Sequence, residues 1–155
     1  MNLKPRSVLW PTDFSAFSMH GGRYAKAFCD DFGATLHILH VVPPPLNPDV
    51  ALLVPSEAPI SMSDPAMLDD CRASLDRLIK DHFGGSSAIR REALFGNPWS
   101  AVCEYARQQQ IDLIVVSTHG RTGIAHVLIG STAERIVQHA PCPVLTVKGG
   151  GRGFL

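Results

Sequence analysis

Ile111-Asp112-Leu113-Ile114-Val115-Val116-Ser117-Thr118-His119-Gly120 decides the fold. The run from Ile111 to Val116 is a strand with little alternation, the pattern of a sheet covered on both faces. Small and polar residues follow it directly. Working outward, Asn97 stands as a helix cap with Pro98 at the first helical position. Trp99, Val102, Cys103 and Ala106 then recur as one buried helical face, and a strand over Ala88 to Phe95 precedes them. Downstream, a helix-prone stretch from about Thr132 to His139 leads through Pro141-Cys142-Pro143 to a last strand, Val144-Leu145-Thr146-Val147.

The N-terminal half repeats the alternation. Ser7-Val8-Leu9-Trp10 reads as a first strand ended by Pro11, and Thr12-Asp13-Phe14-Ser15 is rich in helix-capping residues. The following helix runs to about Phe32, with Phe17, Tyr24, Phe28 and Phe32 near helical spacing, and Gly33 closes it. Gly21-Gly22 inside that helix costs ~1 kcal/mol per glycine relative to alanine, so a close approach to the helix is expected there. Leu36 to Val42 is a second strand. From Pro43 to Pro65 there are seven prolines in 23 residues and no periodicity, which reads as a long functional or flexible loop. Asp64 caps a helix that opens with Pro65 and has Leu68, Cys71, Leu75, Leu78 and His82 as its inner stripe. Arg72–Asp76, Asp76–Lys80 and Arg77–Asp81 are expected as ion pairs along it, and Gly84-Gly85 as its end.

Five strands alternating with four helices predict an α/β domain with a mainly parallel, five-stranded sheet and helices on both faces. Residues 1–148 are expected to form one domain, with 149–155 a frayed, flexible tail. Ligands of such sheets sit beyond the carboxyl ends of the strands, at the switch point of strand order. Here those ends are Pro11-Thr12-Asp13, Val41-Val42 and Ser117-Thr118-His119-Gly120.

Composition narrows the function classes. The 155 residues are 45% hydrophobic and 18% charged, with 14 basic and 14 acidic residues balancing to zero. That charge lacks the basic footprint of a non-specific nucleic-acid binder. No apolar run approaches the ~18 residues of a membrane span, and the N-terminus leads straight into a strand, unlike a signal peptide. The expectation is a soluble, cytoplasmic protein. Cys29, Cys71, Cys103 and Cys142 are widely spaced with no C-x-x-C pair, and read as reduced, mostly buried thiols. His37 and His40, the one close histidine pair, fall three apart on a strand and face opposite ways, so they cannot share an ion. No protein-built metal site is expected.

Chemistry concentrates after the fourth strand. Ser117-Thr118-His119-Gly120-Arg121-Thr122-Gly123 is followed by Gly130-Ser131-Thr132-Ala133-Glu134 at a helix start. Small residues let backbone amides face an anion, and the helix adds unpaired N–H groups and the positive end of its dipole. A second, local reading stands beside it: Ser131 and Glu134 form a capping box without any ligand. No G-x-x-x-x-G-K-[ST] is present, so the chain is not a P-loop NTPase.

The arrangement resembles the universal stress protein family, single-domain type, over nearly the whole chain. The likeness runs from Val8-Leu9-Trp10-Pro11-Thr12-Asp13-Phe14-Ser15 through Leu39-His40-Val41 and Gly96-Asn97-Pro98, and is densest from Asp112 to Val147. ATP-binding members carry Gly, two residues, Gly, nine residues, then Gly and Ser or Thr. Gly120, nine residues, then Gly130-Ser131 match that spacing; Ser117 stands at the first glycine position.

The resemblance implies a three-layer α/β/α, Rossmann-like domain of the adenine nucleotide alpha hydrolase type. It implies that Asp13 and the Val41 backbone hold the adenosine end, with Pro11 and Thr12 beside them. It places the phosphates against Gly120, Gly130, Ser131 and Thr132, with Ser117, His119 and Arg121 nearby. Local roles stand open beside these: Asp13 as a helix cap, Val41 as sheet core, Arg121 as a solvated surface charge, His119 as a turn residue. His126 is expected on a wet or dimer-facing surface.

The expected ligand is ATP, with Mg²⁺ or Mn²⁺ carried on its phosphates. The loop has no acidic residue before Glu134 and no P-loop lysine, so hydrolysis is expected to be slow or absent. A regulatory ATP-binding stress protein is the leading reading. The other reading is a nucleotide-independent dimeric stress protein that acts through protein contacts. A homodimer through strand 144–147 is implied by the resemblance and by an apolar strand at an expected sheet edge.

Overall fold

Five strands pair into one sheet in the order β3-β2-β1-β4-β5. They are β1 (Ser7–Pro11), β2 (Thr35–Val42), β3 (Ile89–Phe95), β4 (Leu113–Ser117) and β5 (Val144–Val147). All four pairings are parallel, because a helix separates each strand from the next. These helices are α1 (Ala16–Phe32), α2 (Pro65–His82), α3 (Pro98–Gln108) and α4 (Ser131–His139). The computed structural model describes residues 4–44, 64–84, 88–118 and 129–149. Most of the expected 43–65 loop, His126, and the tail beyond Gly149 fall outside them. The α/β expectation holds, with the sheet parallel throughout.

Side chains alternate along each strand and build two cores. Val8, Trp10, Leu36 and Ile38 face α1 and α2, where Ala25, Cys29 and Leu75 meet them. Leu9, Leu39, Val41 and Ile114 face α3 and α4, against Val102, Ala106 and Ile136. Most of these side chains are fully buried, each buried valine, leucine or isoleucine contributing about 1.5–3 kcal/mol of transfer free energy. At the amino ends of the strands, Asp112 accepts hydrogen bonds from the Arg6 and Ser7 amides at 2.8 and 3.1 Å. Burial works against its charge, yet these bonds hold the carboxyl below its ordinary range.

The inner face of α1 differs from the expectation. Tyr24 is buried and Phe28 packs on the core as expected, but Phe17 and Phe32 are exposed, at 44% and 38%, and Ser18, Gly21, Gly22, Ala25 and Cys29 complete the inner face. The reason is Trp10. A Cβ on Gly22 would lie 2.7 Å from Trp10 Cζ2, so only glycine lets the helix settle over the indole. Gly33 ends the helix at φ 66° with its N–H on the Cys29 carbonyl, as expected.

On α2, Asp64 is the cap and Pro65 opens the helix, but His82 is exposed and Phe83 is the buried residue at the end. Phe83 stands edge-on to Trp10, 5.4 Å between ring centres. It follows the last helical residue, ahead of Gly84; Gly85 lies outside the described residues. The expected pairs along α2 do not form. Arg91 on β3 takes Asp76 in two bonds of 2.7 and 2.9 Å. Arg72 reaches Glu92 at 2.9 Å and Asp69 at 3.0 Å. A planar guanidinium matches a carboxylate in the neighbouring element better than a flexible pair along one helix.

Two cap expectations also change. Asn97 occupies the cap of α3 without a side-chain bond, and α4 is capped by Gly130, with Ser131 already the first helical residue. Ser131 and Glu134 therefore form no capping box.

Candidate functional site

The carboxyl ends of β1, β2 and β4 border a cleft of about 490 Å³, within the ~300–1,000 Å³ usual for small-molecule sites. β1 lies between β2 and β4, where the order of strands changes direction. This is the crevice expected to hold ligands in an open parallel sheet. Pro11, Thr12 and Asp13 form one rim, Val41 lies on β2, and Ser117 ends β4. Gly130, Ser131 and Thr132 supply the opposite wall from the start of α4. The fold thus brings eight of the eleven sequence-expected residues into one cleft. His119, Gly120 and Arg121 lie outside the described residues.

The rim is built by local hydrogen bonds. Ser15, not Asp13, caps α1, its hydroxyl accepting from the Ser18 amide at 3.1 Å. Asp13 instead accepts from the Ser15 amide at 2.9 Å, an Asx turn one step ahead of the helix. The hydroxyls of Thr12 and Ser18 pair at 2.8 Å, both residues buried. Ser117 faces α1: its hydroxyl accepts from the Gly21 amide at 3.2 Å and donates to the Ser18 carbonyl at 3.4 Å.

The opposite wall is bare backbone. Gly130 has no side chain to bond the amides that open α4, and Ser131 and Thr132 are exposed. Gly130 donates to the Thr118 carbonyl at 2.6 Å, and a Cβ on Gly130 would stand 3.2 Å from the same oxygen. The helix start therefore adjoins the cleft with no side chain at its cap. Its N–H groups and dipole favour an anion.

Leu39, Val102, Val116 and Ile136 make an apolar floor. Among the described lining residues Asp13 is the single carboxylate, and neither Lys nor Arg occurs. No group of three His, Cys, Asp or Glu residues converges among the described residues.

Several lining residues had gone unassigned to the site in the sequence. Met67 and Cys71 reach the cleft from one face of α2; their spacing of four was the available signal, but it reads equally as core. Burial, then the neighbouring Asp70 charge, pushes the Cys71 thiol up. His40 lines the cleft from the α1 side, with Nδ1 on the Thr12 carbonyl at 2.8 Å. His37 turns to the other face and meets the Tyr105 hydroxyl at 3.0 Å, so the two histidines diverge as expected. Ser18 lies inside α1 and carried no sequence signal for the site. No helix among the described residues is long and apolar enough to cross a membrane.

Comparison with known proteins agrees with this architecture. Universal stress protein MJ0531 of Methanocaldococcus jannaschii is 32% identical over 143 residues, 92% of this chain and 82% of that protein. Universal stress protein UspA from Lactobacillus plantarum superimposes with a TM-score of 0.74 at 25% identity, over 94% of this chain and 99% of that one. Two further structures share the fold. One is a universal stress protein in complex with cAMP, at TM-score 0.60 and 22% identity, over 94% of this chain and 98% of that one. The other is the universal stress protein from Archaeoglobus fulgidus in complex with dAMP, at TM-score 0.64 and 15% identity, over 92% and 96%. The universal stress protein family model itself matches residues 5–148. Nearly the whole chain, from the first strand to the residue after the last, is thus accounted for, and it belongs to the universal stress protein family.

Proposed function

We propose that the cleft binds an adenine nucleotide, and that ATP bound there acts as a regulatory ligand with little or no turnover. The observation that carries this reading is the wall at Gly130. A helix start without a side-chain cap adjoins the switch-point crevice, and its glycine lets the chain close tightly on the Thr118 carbonyl, so that the amides that follow border the cleft. Asp13, two residues past the end of β1, and the Val41 backbone on β2 border the cleft where an adenosine would rest. The complexes of related folds with cAMP and dAMP support the adenine class. The apolar floor suits a purine, and Gly130, Ser131 and Thr132 suit its phosphates, with Gly120 and Arg121 proposed beside them.

Ser117 is compatible with this reading. Its hydroxyl is engaged by α1 at Gly21 and Ser18. The serine therefore acts as a fastener of the cleft's back wall. Mg²⁺ or Mn²⁺ is proposed to ride on the phosphates with mostly water ligands. With Asp13 the single carboxylate and no Lys or Arg among the described lining residues, the site offers little of the charge clamp that fast phosphoryl transfer needs.

Calorimetric titration of ATP with Mg²⁺ into protein stripped of carried nucleotide tests the reading. Micromolar binding, lost in a folded Gly130→Asp variant and competed by dAMP or cAMP, is the expected result. Flat heats with an unchanged melting temperature at millimolar ATP would overturn it, and would favour the nucleotide-independent alternative.

We also infer that the functional unit is a homodimer joined through β5. The two sheet edges differ. β3 carries Arg90, Arg91 and Glu92, and the Glu92 carboxylate accepts from the Ala93 amide at 2.9 Å. β5 is Val-Leu-Thr-Val with no charge, the edge left open to strand pairing.

A further inference from the structure

We infer that His40 is a positioning residue for the Pro11–Asp13 rim and sets nucleotide affinity through the rim that it holds; the affinity part rests on the reading above. β2 is apolar through Ile38, Leu39 and Val41, yet it carries a buried imidazole between them, 8% exposed. A carbonyl only accepts, so His40 Nδ1 carries a proton and donates to the Thr12 oxygen at 2.8 Å. Two residues on, Phe14 has φ 63°. A bulky side chain in the left-handed region persists only where its surroundings impose it, and such residues gather at ligand-binding turns.

The surroundings here are specific. The Phe14 amide donates to the Thr12 hydroxyl at 3.1 Å, and that hydroxyl is paired with Ser18. The Phe14 ring lies tilted on the His40 ring, 4.5 Å between centres. One imidazole thus holds both ends of the Thr12-Asp13-Phe14 turn, the Thr12 carbonyl by a hydrogen bond and the Phe14 ring by contact. Asp13 sits between them on the rim. Val41, the next residue on the same strand, lines the cleft beside it. Adjacent residues of β2 would therefore serve one ligand in two ways, Val41 as cleft wall and His40 by holding the rim.

The experiment compares His40→Leu with His40→Asn. Asparagine places a donor where Nδ1 stands; leucine keeps the apolar volume and removes the donor. In His40→Leu, amide hydrogen exchange at Phe14 and Ser15 should quicken, and affinity for Mg–ATP should fall, each by about tenfold, the scale of one lost hydrogen bond. His40→Asn should recover most of both. A merely structural role would lower the melting temperature of the two variants alike and show no such rescue.

Unchanged exchange in His40→Leu overturns the inference, as does faster exchange with wild-type affinity or the absence of rescue by asparagine. If the wild type binds no ATP, the nucleotide reading fails by itself. The exchange rates then decide whether His40 holds the rim. Should His40→Leu not fold, Phe14→Leu carries the test: it removes the ring contact, and the same quickened exchange and weaker binding are expected, wild-type values in both overturning the inference.

Discussion

The Ser117 hydroxyl oxygen lies 3.2 Å from the Gly21 amide nitrogen, in the space a Gly21 side chain would fill; a Cβ there would approach that oxygen to 2.7 Å. The end of β4 and the second turn of α1 are therefore fitted to each other. This close approach carries α1 onto the back of the cleft, because Ser18, on the same helix, bonds both Thr12 and Ser117.

The fit predicts a non-additive pair. Gly21→Ala alone gains ~1 kcal/mol of helix propensity, but must push the Ser117 hydroxyl aside and break its bond, an overpacking cost of about 1–3 kcal/mol. Net destabilisation is expected. In a Ser117→Gly background the notch is empty, and the same substitution should be neutral or stabilising. Denaturant unfolding of the four proteins should give a coupling of about 1 kcal/mol or more. Additive effects would mean that the hydroxyl and the glycine are independent.

The strands, their order of appearance and the eight described cleft residues were legible because each follows from apolar runs and turn chemistry local in sequence. The inner face of α1 was not. Aromatic spacing pointed to Phe17, Tyr24, Phe28 and Phe32, of which Tyr24 and Phe28 do pack on the core; Phe17 and Phe32 do not, and the close contact falls at Gly21 and Gly22, set by Ser117 and by the bulk of Trp10 on other elements. The charges of α2 failed in the same way. Four-residue spacing offered Arg72–Asp76, but Arg91 on the neighbouring strand competes for Asp76 with a bidentate geometry that no helix-local rule contains. For His40 the sequence offers a place on the second strand and in the Leu39-His40-Val41 stretch, but no partner for its imidazole. Its partners Thr12 and Phe14 lie more than 20 residues away, and the turn they form appears only when β1 and β2 are side by side.

β5, the terminal strand of the sheet among the described residues, predicts a substitution that separates pairing from folding. The Pro143 and Val147 carbonyls accept from β4, so by the two-residue period of a strand the Val144 and Thr146 amides face outward. Thr146→Pro removes one outward donor while leaving the bonds to β4, a position where an edge strand tolerates proline. Light scattering should find the wild type dimeric at tens of micromolar and the variant monomeric with its circular dichroism intact. A monomeric wild type would sink the dimer.

His37 predicts a pH dependence of stability. Burial, then the Arg90 charge across the strand pair, holds its imidazole below the ordinary 6.5. Between that value and the lower folded one, the unfolded chain binds a proton that the folded chain refuses. Stability from this group is therefore complete above about pH 6.5 and declines as the pH falls toward the folded value. Melting temperatures measured from neutral to mildly acidic pH should drop for the wild type. The drop should be shallower in His37→Asn, which retains a polar group toward the Tyr105 hydroxyl. Parallel curves would show that protonation elsewhere governs the slope.

The cysteines give a probe of both core and cleft. Burial first, and the Asp30 charge second, push the Cys29 thiol up to about 12 against the opposing pull of Lys26. Near pH 8 only about one thiol in ten thousand is then thiolate, the reactive form, and Cys29 is also fully shielded. Alkylation of the folded protein should spare Cys29 until global opening, while Cys71 and Cys142, both half-buried, react sooner. Cys71 alone of the four lines the cleft. Saturating Mg–ATP should therefore slow Cys71 and leave Cys142 at its original rate, read by mass spectrometry of the labelled peptides. Equal protection of both would point to a general tightening of the fold, and no protection of Cys71 would place any bound nucleotide away from the α2 wall.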